Sequence, residues 1–490
     1  MPLQIASRWR RFLDSPIAPI ALLAVYAALI VFTLDRFSIW IDESATLELV
    51  GTNSYVDIVR KTSIDVHPPL WYLVLKPWVD LFGTNLIASR AQSALFMLGG
   101  VAVWYHLLKT RFSRQLALLA LALMVLNPFL LHYAVEGRMY AFGLLLTGVS
   151  SLLVTGTWRW RWIAYWLCAV AMLYTHYFLA FVVAAQFVYL FLRRREDQRS
   201  LWWLLLFGAS IIVAFIPWLP YATHGTTKAV AHGFWIPPVA PSTLTSYVLG
   251  AFLHRYDREL EGVLVFPALV YVAAWVAVLV RAVRARGGPY VLLWVLTCLP
   301  WLFLLVLSSK PFVPVFHPRY VIFGLPALIA LMAAGALTLQ GRWRTLVIAV
   351  LIAGGVSGIQ MLEWKGFTEN RGYLSMKTIA REISEPIDGA LPTVVSAGLF
   401  PFFDAHVMVG DTQRVVYFRD KKPTKHQFPD VIYWDRPDWY VLSLAEVHAR
   451  HVWLLEDFDK PNVEVPPNWK LEITHLRGYA RSRLFKLDPP

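Results

Sequence analysis

Long uninterrupted apolar runs dominate this sequence. Eleven of them approach the roughly 20 residues that an α-helix needs to cross a bilayer: residues 17–34, 87–108, 115–131, 139–157, 162–175, 177–192, 201–220, 262–283, 289–307, 320–339 and 345–363. Only 16% of the residues are charged and 57% are hydrophobic, whereas a soluble domain has roughly 25% charged residues. The chain has too few polar residues to cover the surface of a soluble protein. It is predicted to be a polytopic α-helical membrane protein with about 11 spans.

The basic residues are distributed unevenly. Residues 365–490 carry 17 Lys and Arg against 17 Asp and Glu, so the net charge of +13 belongs to residues 1–364. Cytoplasmic connections of membrane proteins are enriched in Lys and Arg. Basic clusters recur at every second connection here: Arg8/Arg10/Arg11, Lys109/Arg111/Arg114, Arg159/Arg161, Arg193–Arg195/Arg199, Arg281/Arg284/Arg286 and Arg342/Arg344. The pattern predicts a cytoplasmic N-terminus and, with an odd number of spans, an extracytoplasmic C-terminal part.

Two domains follow from this division, a membrane domain at 1–364 and a hydrophilic domain at 365–490. Short β-branched and aromatic runs alternate with polar, Pro-rich turns in the second domain, which is typical of strands. These runs are Thr393–Ser396, Val431–Trp434 and Val452–Leu455. We expect a small α/β or α+β domain. Neither domain has a basic stripe in a soluble region, which argues against nucleic-acid binding.

Two adjacent acids follow the first apolar run. Asp42 and Glu43 come about eight residues beyond it, next to Trp40 and Ile41. Partial loss of water at such a place raises the affinity of a carboxylate for a proton, and an aspartate so placed can act as a general base toward a hydroxyl. The alternative is an ordinary solvated acidic pair.

Other ionisable residues collect at the outside ends of the runs. His67 precedes two prolines that restrict its backbone to extended conformations, so it either binds an anion or begins a helix. Glu136 and Arg138 lie at a span end, where charge is costly unless it is paired or faces a cavity. They either pair with each other or line a site. Arg90, Tyr174–Tyr177 and His317–Tyr320 mark further outside ends.

Several common motifs are missing from the sequence. It contains no P-loop, no HExxH and no dinucleotide-binding glycine pattern, so energy input from a cytoplasmic nucleotide is unsupported. Both cysteines, Cys168 and Cys298, lie inside apolar runs, which gives neither a disulfide framework nor a thiolate metal site. The acids and histidines form no tight ligand cluster. The sequence therefore does not indicate a protein-bound metal, and a divalent ion is kept as an alternative.

Taken in order, the polar motifs resemble the bacterial members of the protein O-mannosyltransferase-like membrane glycosyltransferases (glycosyltransferase family 39), which have the GT-C fold. Each motif is weak alone, and the ordered set is specific. The resemblance spans roughly residues 10–340 and does not extend to the C-terminal domain. It is carried by Trp40–Glu43, His67–Tyr72, Phe82-Gly83 to Arg90, Asn127-Pro128 to Tyr140, Thr175–Tyr177 and Arg319-Tyr320.

The resemblance implies an inverting glycosyltransferase (EC 2.4) of the cell inner membrane. Such an enzyme moves a sugar from a polyprenyl-phosphate-linked donor to a hydroxyl of a lipid, glycan or protein on the periplasmic side. It also implies that Asp42 is the catalytic base, with Glu43 as its catalytic neighbour. The donor and its phosphate would be bound by His67, Glu136, Arg138, Tyr140 and Arg319. Gly137 departs from the family pattern, in which alanine is common.

The residue chemistry agrees with this interpretation independently. A polyprenyl phosphate is already a good leaving group, so the protein must mainly deprotonate a hydroxyl and stabilise the departing anion, as fixed charges can do. A transporter or lipid flippase is the main alternative, but it would place ionisable residues at the bilayer midplane or in broken helices. A non-catalytic scaffold would leave Asp42 replaceable without loss of activity.

Overall fold

A computed structural model of the chain describes residues 15–37, 39, 41–223, 236, 239, 262–283, 288–309, 315–368, 373–409, 412–419, 422, 436–457, 462–477 and 480–487. The N-terminal basic cluster, Trp40, and the strand predicted at Val431–Trp434 lie outside these residues. All seven residues predicted for the site lie inside them.

The membrane domain is a helical bundle. Its helices are α1 (Ile17–Thr33), α2 (Ile41–Thr52), α3 (Tyr55–Thr62), α4 (Leu70–Phe82), α5 (Leu86–Arg111), α6 (Arg114–Val125), α7 (Pro128–Ala134), α8 (Tyr140–Thr155), α9 (Arg161–Thr175), α10 (Leu179–Leu192), α11 (Leu201–Phe215), α12 (Gly262–Ala282), α13 (Gly288–Leu307), α14 (Leu325–Leu337) and α15 (Gly341–Thr368). Short 3₁₀ helices at Ile216–Trp218 and Pro318–Gly324 extend α11 and precede α14. Each of the eleven apolar runs therefore forms helix.

The helices differ in length. Five helical segments in the described part of the chain are long and apolar enough to cross a bilayer, or six if the bent pair α6–α7 is one span, and four shorter apolar helices accompany them. The bend of 64° in that pair has a local cause. Asn127 caps α7 by accepting the Leu130 N–H at 2.9 Å, and Pro128 occupies the first helical position, where proline is favoured. The total of eleven crossings stays a prediction.

Close helix packing depends on small residues. A Cβ atom at Gly100 of α5 would lie 2.7 Å from the Leu144 side chain of α8, and one at Gly148 would lie 3.1 Å from Trp104. Both glycines let the two backbones approach, as small residues do in membrane bundles. This packing brings the start of α8, with Tyr140, against the middle of α5.

The connection at residues 35–86 is mostly helical. Within it, α2 carries Asp42 and Glu43 in its first turn, where acidic side chains interact favourably with the helix dipole. Ser54 caps the N-terminus of α3, because its hydroxyl accepts the Asp57 N–H. Residues 70–82 form the 13-residue helix α4, which is shorter than a full crossing.

The C-terminal domain is a small α/β unit. It contains α16 (Tyr373–Ile383), β1 (Thr393–Ser396), α17 (Leu399–Val409), β2 (Val415–Phe418), β3 (Tyr440–Val441), β4 (His451–Asp457), β5 (Trp469–Arg477) and β6 (Ala480–Leu487). The sheet order is β3-β2-β1-β4-β6-β5. The first four strands are parallel, and β6 runs antiparallel to both β4 and β5. The strands predicted at Thr393–Ser396 and Val452–Leu455 are confirmed, and the domain boundary at 364/365 stays a prediction.

Candidate active site

The site is built around the first two turns of α2. Successive residues of an α-helix point about 100° apart, so neighbours in sequence contact different parts of the protein. Asp42 and Thr46 lie on one face, Glu43 lies to the side, and Ser44 and Glu48 lie on the opposite face. The two adjacent acids therefore have different surroundings.

Glu43 is held by a buried ion pair. Arg90 of α5 donates from Nε to Oε1 at 2.8 Å and from Nη2 to Oε2 at 2.6 Å, and both side chains are almost completely buried. The Gly137 N–H also donates to Oε1 at 2.8 Å. Nη1 of the same arginine donates to the carbonyls of Leu34 and Phe37. This arrangement, here called the Glu43 clamp, joins the end of α1, α2, α5 and the turn before α8.

Gly137 has a steric role in the clamp. A Cβ atom at this position would lie 2.6 Å from Oγ of Ser89 and 3.4 Å from Oε1 of Glu43. Alanine here would force Ser89 or the turn to move. The departure from the family pattern therefore fits a turn that is pressed against α5.

Asp42 faces a cluster of cations. Its Oδ2 lies 3.6 Å from Nη1 of Arg319, and 30% of its side chain is exposed. This separation exceeds the length of a hydrogen bond. The contact is therefore electrostatic, and another group can take part in it. Arg138 donates from Nη1 to the main-chain carbonyl of Asp42 at 3.1 Å and to Oγ1 of Thr46 at 2.5 Å. Arg138 thus fixes the backbone of α2, and the Asp42 carboxylate points toward Arg319.

Arg319 lies between aromatic rings. Its guanidinium carbon is 6.0 Å from the ring centroid of Tyr140 and 5.3 Å from that of Tyr320, distances at which a cation and a ring attract each other. His317 caps the 3₁₀ helix that carries it, because Nδ1 accepts the Arg319 N–H. Chain geometry thereby directs a largely buried cation toward α2.

Glu136 is a buried acid beside a histidine. Its Oε2 lies 3.4 Å from Nε2 of His132. Burial raises the pKa of Glu136, an effect that the contact with His132 opposes. Glu136 also interacts electrostatically with Glu43 and Arg319, which places it at the edge of the same cluster.

His67 is paired with a second acid. Its Nδ1 lies 3.6 Å from Oδ2 of Asp65, and the Tyr72 hydroxyl donates to the same oxygen at 3.2 Å. Burial acts to raise the pKa of Asp65, but the hydrogen bond and charge of His67 and the Val66 N–H hold it below its ordinary value. Asp65 is therefore an anion, and its carboxylate orients the His67 ring.

His176 is a site residue that sequence reasoning did not select. Its ring centroid is 5.6 Å from that of His67, 5.9 Å from that of Tyr140 and 5.5 Å from that of Tyr320. Burial and the nearby cations hold its pKa well below the ordinary value. Nδ1 accepts the Phe178 N–H, so the neutral ring carries its proton on Nε2. The only sequence signal was the Thr175-His176-Tyr177 motif at a span end.

Some buried polar atoms of this cluster have no hydrogen-bond partner among the described residues. Such atoms cost about 1–3 kcal/mol each, which makes them candidates for contacts with a substrate. They include Oε1 of Glu136, Nε of Arg138, the hydroxyl of Tyr140 and Nε2 of His176.

The structure brings all seven predicted residues together. Asp42 contacts Arg319 and Arg138, Arg319 contacts Tyr140, and Tyr140 and His67 meet at His176. Arg90, Asp65 and His176 complete the cluster. Two buried guanidinium groups and a histidine around one carboxylate suit a phosphorylated substrate, because the planar fork of arginine matches phosphate oxygens. Within the described ranges, no group of three or more His, Cys, Asp or Glu side chains could hold a metal ion.

Residues 66–221 match the family described as dolichyl-phosphate-mannose-protein mannosyltransferase. This segment contains His67, Arg90, Glu136, Arg138 and Tyr140; the acids of α2 and Arg319 lie outside it. No curated protein matched the sequence.

Solved structures with the same fold extend over nearly the whole chain. The apo structure of ArnT from Cupriavidus metallidurans is similar with a TM-score of 0.59 and 14% identity, over 95% of this chain and 97% of that one. The structure of this ArnT bound to undecaprenyl phosphate gives the same values. An oligosaccharyltransferase from Archaeoglobus fulgidus, in complex with Zn and sulfate, has a TM-score of 0.45 and 11% identity over 90% of this chain and 68% of that one, a similarity too weak to support an inference.

At such identities, structural similarity shows the fold. The resemblance predicted from the sequence is confirmed at that level: the chain is a multi-pass membrane protein with the GT-C fold of membrane glycosyltransferases, and residues 66–221 match the dolichyl-phosphate-mannose-protein mannosyltransferase family.

Proposed function

We propose that this protein is an inverting glycosyltransferase that moves a sugar from a polyprenyl-phosphate-linked donor to a hydroxyl acceptor on the outer face of the membrane. The observation that carries the proposal is the Asp42 carboxylate, part-exposed and 3.6 Å from the buried guanidinium of Arg319. The fold similarity to an ArnT bound to undecaprenyl phosphate supports the class of donor. The cation asymmetry of the connections supports an inner-membrane protein with a periplasmic site.

In this mechanism Asp42 accepts the proton of the acceptor hydroxyl. The hydroxyl oxygen attacks the anomeric carbon from the side opposite the phosphate. The bond between that carbon and the phosphate oxygen breaks, and its electron pair leaves with the polyprenyl phosphate. A well-placed general base contributes roughly 10²–10⁴-fold to such a step.

The departing phosphate gains negative charge, which Arg319, Arg138 and His67 stabilise. Nε of Arg138 has no partner among the described residues and is therefore ready to donate. Arg319 exchanges its long contact with Asp42 for the phosphate, which also exposes the carboxylate to the acceptor. Fixed donors directed at developing charge stabilise it most strongly because they need no reorganisation.

Glu43 supports this site without reacting. Both of its oxygens accept hydrogen bonds from Arg90 or Gly137, whereas the part-exposed Asp42 carboxylate stays accessible to an acceptor hydroxyl. We assign Glu43 a positioning role. Glu136 and Tyr140, through their unpaired oxygens, line the donor side of the cluster.

The test is release of polyprenyl phosphate from a panel of radiolabelled polyprenyl-phosphate sugars by the purified protein in nanodiscs, with mixed membrane lipids and glycans as acceptors. Asp42→Asn should lower release by about 10²-fold or more while donor binding persists. Asp80→Asn is the matched control, because Asp80 is an exposed acid of α4 that pairs with Lys76. Near-normal turnover in Asp42→Asn would exclude it as the base, and binding without release by the wild type would favour a lipid carrier.

A further inference from the structure

The face of α2 turned away from Arg319 contacts the C-terminal domain. Ser44 donates from Oγ to Oδ1 of Asp404 at 2.7 Å, and Oε1 of Glu48 lies 2.6 Å from Nδ1 of His406. Ser44 and Glu48 are four residues apart and so lie on one helix face. The side chains of Ser44, Asp404 and Glu48 are all buried.

Helix α17, which carries both partners, lies between the cores of the two domains. Phe402 and Phe403 belong to the core of the C-terminal domain, while Val407 and Met408 pack against the core of the membrane domain. Ala45 of α2 packs against the core of the C-terminal domain. The interface therefore combines apolar packing with the two polar contacts.

Helix α17 is itself anchored to the sheet. The ring of Phe402 stacks on Tyr417 of β2 at a centroid distance of 5.3 Å. The ring of His406 lies 4.1 Å from that of Trp439. A shift of α17 would disturb both ring contacts, so the C-terminal domain supports α17 from the side opposite α2.

We propose that the C-terminal domain is a brace that positions Asp42, with Asp404 and His406 as positioning residues that act through α2. Arg138 and the Glu43 clamp hold α2 from the membrane domain, and the two contacts with α17 hold it from the other side. Together they determine the rotation of the helix, and hence where the Asp42 carboxylate points. The consequence for turnover rests on the proposed function.

Placement of a catalytic group matters strongly, because a misplacement of about 1 Å can cost about 10²-fold in rate. We therefore expect Ser44→Ala and Asp404→Ala to lower kcat about tenfold or more. The KM for the donor should change little, since Arg138 and Arg319 lie on other elements. Asp404→Asn keeps an acceptor oxygen for Ser44 and should restore most of kcat.

The control is Gln413→Ala, a change inside the C-terminal domain. Gln413 donates to the carbonyls of Ile383 and Pro392, so its loss destabilises that domain from a position away from α2. Hydrogen exchange of the amides of residues 41–52, measured in nanodiscs on the full-length protein, reports the brace without any activity. Exchange there should rise in Ser44→Ala and Asp404→Ala and stay at the wild-type level in Gln413→Ala.

Unchanged exchange of residues 41–52 in both Ser44→Ala and Asp404→Ala would overturn the brace. An equal fall of kcat in Gln413→Ala would overturn it too, since general stability of the domain would then explain the effect. Absence of transfer by the wild-type protein would instead overturn the proposed function, and the exchange result would still decide whether the C-terminal domain braces α2.

Discussion

Removing one partner of the Glu43 clamp should destabilise the protein far more than removing both. Arg90→Met leaves the Glu43 carboxylate buried without its cation, and Glu43→Leu leaves the guanidinium buried without its anion. Breaking a buried ion pair in this way costs about 3–5 kcal/mol, so the two single changes sum to about 6–10 kcal/mol.

The double variant Glu43→Leu with Arg90→Met leaves no buried charge behind. It still removes the donors to the Leu34 and Phe37 carbonyls and the acceptor of the Gly137 N–H, at about 1 kcal/mol each, so we expect a total loss of about 3 kcal/mol. Unfolding in mixed detergent and sodium dodecyl sulfate micelles measures these free energies. The exposed pair Arg60 and Asp57 is the control, and Arg60→Met should cost under about 1 kcal/mol. A double variant that loses the full sum of the singles would refute the clamp.

The clamp also distinguishes the two acids in catalysis. Glu43→Gln should lower turnover per folded molecule less than Asp42→Asn does, because Glu43 acts on the position of α2. Transfer assays normalised to folded protein measure this difference. Equal losses would make the pair of acids the catalytic unit.

Three further predictions concern the donor, the pH dependence and the topology. Arg319→Ala should weaken binding of polyprenyl phosphate about 10–100-fold and Arg319→Lys should restore it only in part; unchanged affinity in titrations would remove this residue from the donor site. Burial raises the pKa of Glu136, so its carboxyl group binds a proton more tightly in the folded state than in the unfolded chain. The stability that this proton contributes is lost as the pH rises above the ordinary glutamate range. The unfolding temperature of Glu136→Gln relative to the wild type should therefore rise as the pH increases above the ordinary glutamate range, and a constant difference would contradict the assignment. A reporter that is active only in the cytoplasm should be silent when fused behind residue 490; activity there would show that the number or direction of the spans is different.

The helices and the class of protein were predictable because their signals are local. An apolar run near 20 residues indicates a membrane helix from its own length and composition, and all eleven runs are helical in the structure. Strands at Thr393–Ser396 and Val452–Leu455 followed from β-branched residues between turns. The bend between α6 and α7 was not predicted, although Asn127 and Pro128 supply a cap and a helix start inside the apolar run.

The candidate site was predictable as a set of residues, but their partners were not. An acid near the first span is a local signal, whereas its contact with Arg319 depends on how α2 and the start of the 3₁₀ helix pack. Sequence proximity suggested that Asp42 and Glu43 share one environment. Helical rotation sends them to different partners, so Glu43 pairs with Arg90 while Asp42 faces Arg319.

The sequence by itself determined a multi-span helical protein, a separate C-terminal domain and polar motifs at the outside ends of the spans, because apolar length, charge asymmetry and motif order can be read along the chain. Tertiary structure alone decided that Arg90 neutralises Glu43 from 47 positions away and that Asp404 supports α2 from 360 positions away. Such contacts arise when whole helices and domains bury their apolar faces against each other, and the side chains that meet at those interfaces leave no periodic trace in the sequence.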